Sequence, residues 1–182
     1  MHLVQTAGRA NQISGRAVAA LSLTAAAGLI TDQVTKAVAL ATLPEGGTVP
    51  VIDGVLHWTL QRNPGAAFSL FTRVPALFTV LAFAISAGII WYARRVRETG
   101  LGFALGFVLG GALGNLADRI LRPPSAFQGH VIDFIDFRVW PTFNIADVCV
   151  VTGAALLFLH SVRAERADKR AAAAGDDAAA AP

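Results

Sequence analysis

The chain has 182 residues, 54% of them hydrophobic and only 15% charged, against roughly 25% charged in soluble domains. That balance excludes an ordinary water-soluble domain and points to one domain dissolved in a bilayer. The net charge of +3 does not call for a nucleic-acid partner, because the basic residues sit where membrane orientation places them.

Residues 1–16 read as a cytoplasmic N-terminal extension carrying Arg9 and Arg16. An apolar run follows over residues 17–41, long enough to cross a hydrocarbon core that needs ~20 apolar residues. A cleavable signal peptide is the other reading of this run. Its continuation through Val34 and Ala37 to Ala41 argues for a retained span. Within it, Asp32 and Lys36 are spaced i, i+4, so a buried ion pair would lessen the cost of each charge. Either residue could instead orient substrate backbone or a lipid headgroup.

Residues 48–61 hold the β-prone Val49, Val51, Val55, Trp58 and Leu60, with Asp53-Gly54 as a hairpin turn. Asn63 and Gly65 suit a tight turn. Asn63 can also donate to a peptide carbonyl, with Ala66 and Ala67 leaving room at a cleft wall. The second span covers residues 75–93 and ends in Trp91 and Tyr92, residues suited to an interfacial belt. The third covers 101–119 and repeats glycine at Gly102, Gly106, Gly110 and Gly114, a smooth strip for close helix packing. Residues 129–140 form a second extended segment. The fourth span covers 143–162, and the Ala-rich segment 164–182 reads as a disordered cytoplasmic tail.

Arg9, Arg16, Arg94, Arg95, Arg97, Arg163, Arg166, Lys169 and Arg170 crowd the short flanks on one side. Both termini are therefore expected in the cytoplasm. The resulting fold class is an all-α membrane protein: a four-transmembrane-helix bundle with a small extracytoplasmic β-sheet and loop.

Two segments repeat a pattern, Asn115-Leu116-Ala117-Asp118 and Asn144-Ile145-Ala146-Asp147. On a helix, i and i+3 share a face, so each presents an amide beside a carboxylate. About 17 helical steps of ~1.5 Å carry the chain ~26 Å from Leu101 to Asp118, near the outer end of its span. Asp147 lies in the first turn of the returning span, at the same level. Two carboxylates sharing a polar cavity cannot both ionise easily, and such a pair activates water without a metal. The plainer reading is two helix-end aspartates, capped or paired with Arg119.

Five blocks resemble lipoprotein signal peptidases, and in the family's order. They are Asp32-Gln33-Val34-Thr35-Lys36, Asn63-Pro64-Gly65-Ala66-Ala67-Phe68-Ser69, Gly110 through Arg119, Val131-Ile132-Asp133-Phe134, and Phe143-Asn144-Ile145-Ala146-Asp147. The resemblance runs from the first span to the last. It implies an aspartyl endopeptidase of the bacterial inner membrane, inhibited by globomycin. Such an enzyme removes the signal peptide from diacylglyceryl-modified prolipoproteins, cutting before the lipid-bearing cysteine. On that resemblance Asp118 and Asp147 match the catalytic aspartates, and Asn115, Asn144 and Ala146 match positions around them. Asn63 and Gly65 then belong to substrate contact. Asp133 braces the outer loop, and Arg119 holds the loops or meets a lipid phosphate.

The implied partners are the prolipoprotein and membrane lipid, with the enzyme itself a monomer. No metal or cofactor is implied: one cysteine, Cys149, and the scattered His2, His57, His130 and His160 make no ligand set. A small transporter or channel subunit is the alternative class. The level of the aspartates, away from the midplane, and the small number of spans argue against it.

Overall fold

A glycine every fourth residue strips one helix face of side chains, so a second backbone can lie directly on it. Gly102, Gly106 and Gly110 face the backbones of Ala17, Leu21 and Ala25, which repeat at the same spacing. The helices so joined are α1 (Gly15–Thr42) and α3 (Thr99–Leu121). On the other side of α3, Gly111 meets the Ala146 carbonyl and Val150, both on α4 (Ile145–Ala179). Gly153 of α4 returns the contact against Ala104 and Val108. The remaining helix, α2 (Pro75–Ala93), rests on α3. The computed structural model describes residues 15–65 and 75–179. Most of the N-terminal extension, together with Ala66, Ala67, Phe68 and Ser69, lies outside the described residues.

All four helices are long and apolar enough to cross a membrane. Their outward faces carry large apolar side chains, among them Leu23, Ile30, Val80, Phe83, Val151 and Phe158, each more than 60% exposed. A water-soluble domain does not display so much contiguous apolar surface; lipid covers it without cost.

The polar end of the bundle is roofed by a sheet. Strands β1 (Thr48–Ile52) and β2 (Leu56–Asn63) form the hairpin expected at Asp53-Gly54, with Gly54 in the left-handed region at φ 70°. Strand β3 (Val131–Asp136) pairs antiparallel with β2, giving the order β1-β2-β3. The register sets Asn63 opposite Val131 and Gln61 opposite Asp133. This pairing draws the turn after β2 and the middle of β3 over the ends of α3 and α4.

One boundary differs from expectation. The segment 164–182, read as a disordered tail, continues α4 as helix as far as Ala179. Alanine has the highest helix propensity, and a helix already formed needs no new nucleus to extend. The Glu165–Lys169 pair at 2.6 Å, spaced i, i+4, adds modest support.

A Cβ placed on Gly110 would stand 2.8 Å from the Ala25 carbonyl oxygen and 3.2 Å from its Cα. Backbone on both sides leaves no flexible neighbour to give way. Gly110→Leu should therefore separate α1 from α3 and lower the yield of folded protein several-fold. Size-exclusion recovery and melting in detergent check this; wild-type values would show that the strip is not an interface.

Candidate active site

The site grows from one buried ammonium. Lys36 and Asp32 of α1 are both 0% exposed. Lys36 Nζ lies 2.8 Å from Asp32 Oδ2 and 2.7 Å from Asp118 Oδ2, with its third contact at Asn115 Oδ1, 3.1 Å away. An ammonium has three donors, and these oxygens use all of them. The expected Asp32–Lys36 pair is present, and Asp118 joins it.

Each of the two carboxylates held by Lys36 also receives a backbone N–H. Asp32 Oδ1 accepts from Ala146 N at 2.9 Å. Asp118 Oδ2 accepts from Ile132 N at 3.2 Å. Ala146 immediately precedes Asp147, and Ile132 immediately precedes Asp133. The lysine cluster thus anchors α4 and β3 one residue short of a second pair of carboxylates.

Asp118 and Asp147 are not brought together as a facing pair. Asp118 is 1% exposed, and both of its oxygens are occupied. Oδ2 takes Lys36 and Ile132 N, while Oδ1 takes Arg122 Nε at 2.6 Å and Gln33 Nε2 at 3.3 Å. Two cations, a backbone N–H and a side-chain amide leave no open lone pair for a water or a substrate. The cation at i+4 is Arg122, and the adjacent Arg119 takes no part, because residues one apart on a helix do not share a face. Gln33 also donates to Gly114 O at 3.1 Å, tying α1 to α3.

The carboxylates that do share a space are Asp133 and Asp147. Both line a cavity of about 670 Å³ between α2, α3, α4 and the sheet. Asn144 links them. Its Nδ2 donates to Asp133 Oδ1 at 2.6 Å, its backbone N to Asp147 Oδ2 at 3.3 Å, and its Oδ1 accepts from Asp147 N at 3.0 Å. The last two bonds form a reciprocal cap at the start of α4. Asn63 Nδ2 donates to Asp133 Oδ2 at 2.8 Å, and Asn115 Nδ2 to Asp147 Oδ1 at 2.8 Å.

The three amides point the same way for a common reason. Asn63 Oδ1 accepts from Gly65 N at 2.9 Å, Asn144 Oδ1 from Asp147 N, and Asn115 Oδ1 from Lys36. Each oxygen meets a group that can only donate, so each NH2 turns to a carboxylate. Gly65 itself sits at φ 123°, a conformation that favours glycine and closes this turn.

Arg119 lines the same cavity, with its guanidinium over the Phe78 ring at 5.8 Å. Its Nη1 is buried with no hydrogen-bond partner among the described residues. Its backbone oxygen meanwhile holds Gly129 N at 3.0 Å. Phe78, Leu81, Ala82 and Ile85 of α2 face Val150 and Val151 of α4 across the cavity, giving it apolar walls beneath the polar roof. Among the described residues no group of three or more His, Cys, Asp or Glu side chains is placed to hold a metal ion.

Burial, and then the nearby Asp147 carboxylate, push the Asp133 carboxyl up to about 7. The bonds from Asn63 and Asn144 and the charge of Lys36 oppose the rise. Asp133 was expected to brace a loop, and it does tie β3 to Asn63. It also opens on the cavity, which the motif alone did not reveal.

A family model described as signal peptidase (SPase) II matches residues 24–163. The chain belongs to the signal peptidase II family. It is similar to the lipoprotein signal peptidase of Mycobacterium avium (strain 104), 46% identical over 138 residues that make 76% of each chain. The Mycobacterium tuberculosis (strain ATCC 25618 / H37Rv) lipoprotein signal peptidase is 46% identical over 134 residues, 74% of this chain and 66% of that one. Among solved structures, a bacterial membrane enzyme determined by the in meso method at 2.3 Å superposes with TM-score 0.68 at 30% identity. The match covers 78% of this chain and 86% of that one. As a signal peptidase II family member the chain is a peptidase, and every anchor of the cavity from Asp32 to Asp147 falls inside the matched residues.

The raised Asp133 value has a consequence for stability. A carboxyl that holds its proton more tightly when folded favours the fold at low pH. The unfolded chain ionises near the ordinary 3.8 and the folded one near 7. Asp133's contribution to stability should therefore fall as pH rises from about 4 to about 7 and stay level above that. Asp133→Asn should flatten this slope in a pH series of melts in detergent; an unchanged slope would refute the assignment.

Proposed function

We propose that this peptidase removes the signal peptide from diacylglyceryl-modified prolipoproteins by aspartyl catalysis, with Asp133 and Asp147 as the working pair. The observation that carries the reading is the contrast between three carboxylates. Asp133 and Asp147 share Asn144 and open on one cavity, whereas Asp118 is saturated by Lys36 and Arg122. Asp118 is therefore withdrawn from the catalytic role that its motif suggested. Its part is to hold Ile132 N and so place Asp133.

The chemistry follows from the geometry. One carboxylate takes a proton from a water held between the pair as that water's oxygen attacks the scissile carbonyl. The partner carboxyl gives its proton to the carbonyl oxygen. A proton then moves to the amide nitrogen, the C–N bond breaks, and the products are a carboxyl on the signal peptide and an amine on the lipid-bearing cysteine. Asp133, with its proton held up to about 7, suits the donor's part near neutral pH. The unpartnered Arg119 Nη1 is a ready donor to a backbone carbonyl of the bound peptide. The apolar walls from α2 and α4 suit the signal sequence and acyl chains.

The charge pattern supports an orientation with both termini cytoplasmic and the sheet on the outer face. Arg94, Arg95 and Arg97 lie in and just after the turn that ends α2, and Arg163, Arg166 and Arg170 lie on the far part of α4. Both groups are at the end of the bundle away from the sheet.

Cleavage of a diacylglyceryl-modified prolipoprotein by purified protein tests the pair. Asp133→Asn and Asp147→Asn should each cost far more than tenfold in kcat, since general acid–base roles supply about 10²–10⁴-fold. Asp118→Asn should lower the melting temperature but leave measurable turnover. Wild-type kcat in Asp133→Asn, or an inactive but fully stable Asp118→Asn, would return the role to Asp118.

A further inference from the structure

Charge balance explains two of the three contacts of Lys36 and leaves the third over. Asp32 and Asp118 neutralise the ammonium, and Asp118 has Arg122 besides. The bond from Lys36 Nζ to Asn115 Oδ1 at 3.1 Å adds nothing to that balance. Its effect is on direction. The two ends of a carboxamide are nearly the same shape, and the neighbours alone decide which way it faces. An ammonium cannot accept a hydrogen bond, so only the oxygen of Asn115 fits on its side. Asn144 Nδ2, 3.2 Å away, donates to the same oxygen. The NH2 must then face Asp147 Oδ1, where it lies at 2.8 Å.

The other two amides at the site are pinned by backbone N–H groups, of Gly65 and Asp147. No substitution removes those donors without rebuilding the chain. Asn115 differs, because side chains pin it, the charged donor of Lys36 and the neutral one of Asn144. We propose that Lys36 is a positioning residue of the reaction, acting through Asn115 to keep Asp147 Oδ1 a hydrogen-bond acceptor. The inference rests on the Asp133–Asp147 reading. With Oδ1 committed to a donor, the mobile proton of the pair is confined to the other oxygens. Without Lys36 the amide keeps only the neutral donor of Asn144 on that side; turned over, its oxygen would repel the carboxylate that the NH2 now supports.

A double-mutant cycle measures this. kcat and KM are determined for Lys36→Met, Asn115→Ala and the two combined, on a diacylglyceryl-modified prolipoprotein peptide. Because Lys36→Met alone leaves Asp32 uncompensated, the cycle is also run in Asp32→Asn protein, where adding Lys36→Met restores the wild-type buried net charge and Oδ1 can still accept from Ala146 N. Losing one hydrogen bond to a charged group should cost roughly tenfold to a hundredfold in kcat, with KM little changed. Once Asn115 is alanine, Lys36→Met should cost several-fold less than it does with Asn115 present, the remainder being what Lys36 does through Asp32 and Asp118. Losses that multiply, a loss carried by KM, or an unchanged kcat in Lys36→Met would each overturn the proposal. Should neither background fold, the cycle is run with Lys36→Arg, which retains a cationic donor. Full activity there, or a loss that vanishes in Asn115→Ala protein, supports the role, and a multiplying loss overturns it. Asp147→Asn is measured alongside. Turnover retained in that variant would remove the dyad itself, whereas an inactive Asp147→Asn with multiplying losses would remove only the part given to Lys36.

Discussion

The ammonium of Lys36 is the point on which the rest of the structure turns. It lies wholly inside the bundle, between one carboxylate from α1 and another from α3. Burying charge is costly unless every partner is supplied, and here the partners serve a second purpose. Asp32 takes the amide of Ala146, and Asp118 takes the amide of Ile132. A helix start and a strand, remote in sequence, are thereby held to one centre, each one residue before a carboxylate that opens on the cavity. The glycine strip seats α1 directly on α3, and farther along the same pair of helices Lys36 reaches Asn115 and Asp118 at hydrogen-bond distance.

The arrangement separates two kinds of buried acid. Asp32 and Asp118 are paired with cations and backbone, so their charge is spent on architecture. Asp133 and Asp147 receive mainly neutral amides, which orient a carboxylate without neutralising it. Burial, and then the Asp147 charge, lets Asp133 keep its proton up to about 7, against the opposing pull of its amide bonds and of Lys36. Asn144 stands between the two aspartates as cap of α4 and as shared donor, so the helix start and the spacing of the pair are one feature.

The spans were readable because about twenty apolar residues in a row have few other uses. The hairpin was readable because Asp53-Gly54 interrupts alternating β-branched residues. The surroundings of each acid were not. Asn115–Asp118 and Asn144–Asp147 look like twins, and both sit at helix ends, but a local pattern does not say what faces each carboxylate. Asp118 meets Lys36 from α1 and Ile132 from β3, contacts spanning 82 and 14 positions in sequence. Asp133 enters the site because β3 pairs with β2, a register set by long-range contacts. One signal was available: Val131, Ile132 and Phe134 are apolar around a lone acid, and a carboxylate in a fully buried strand segment demands a function or a partner. The helical continuation to Ala179 was missed for a different reason, since alanine-rich composition suits a flexible tail and an extended helix alike.

The assignment of Asp133 and Asp147 as the working pair is tested most directly by a structure with a peptide-like ligand in the cavity, its scissile amide replaced by a hydroxyl-bearing carbon. Such a hydroxyl takes the place of the attacking water. The account predicts that it lies within hydrogen-bond distance of both Asp133 and Asp147, with Asp118 still closed by Lys36 and Arg122. A hydroxyl bound to Asp118, with Lys36 or Arg122 displaced from it, would contradict the account.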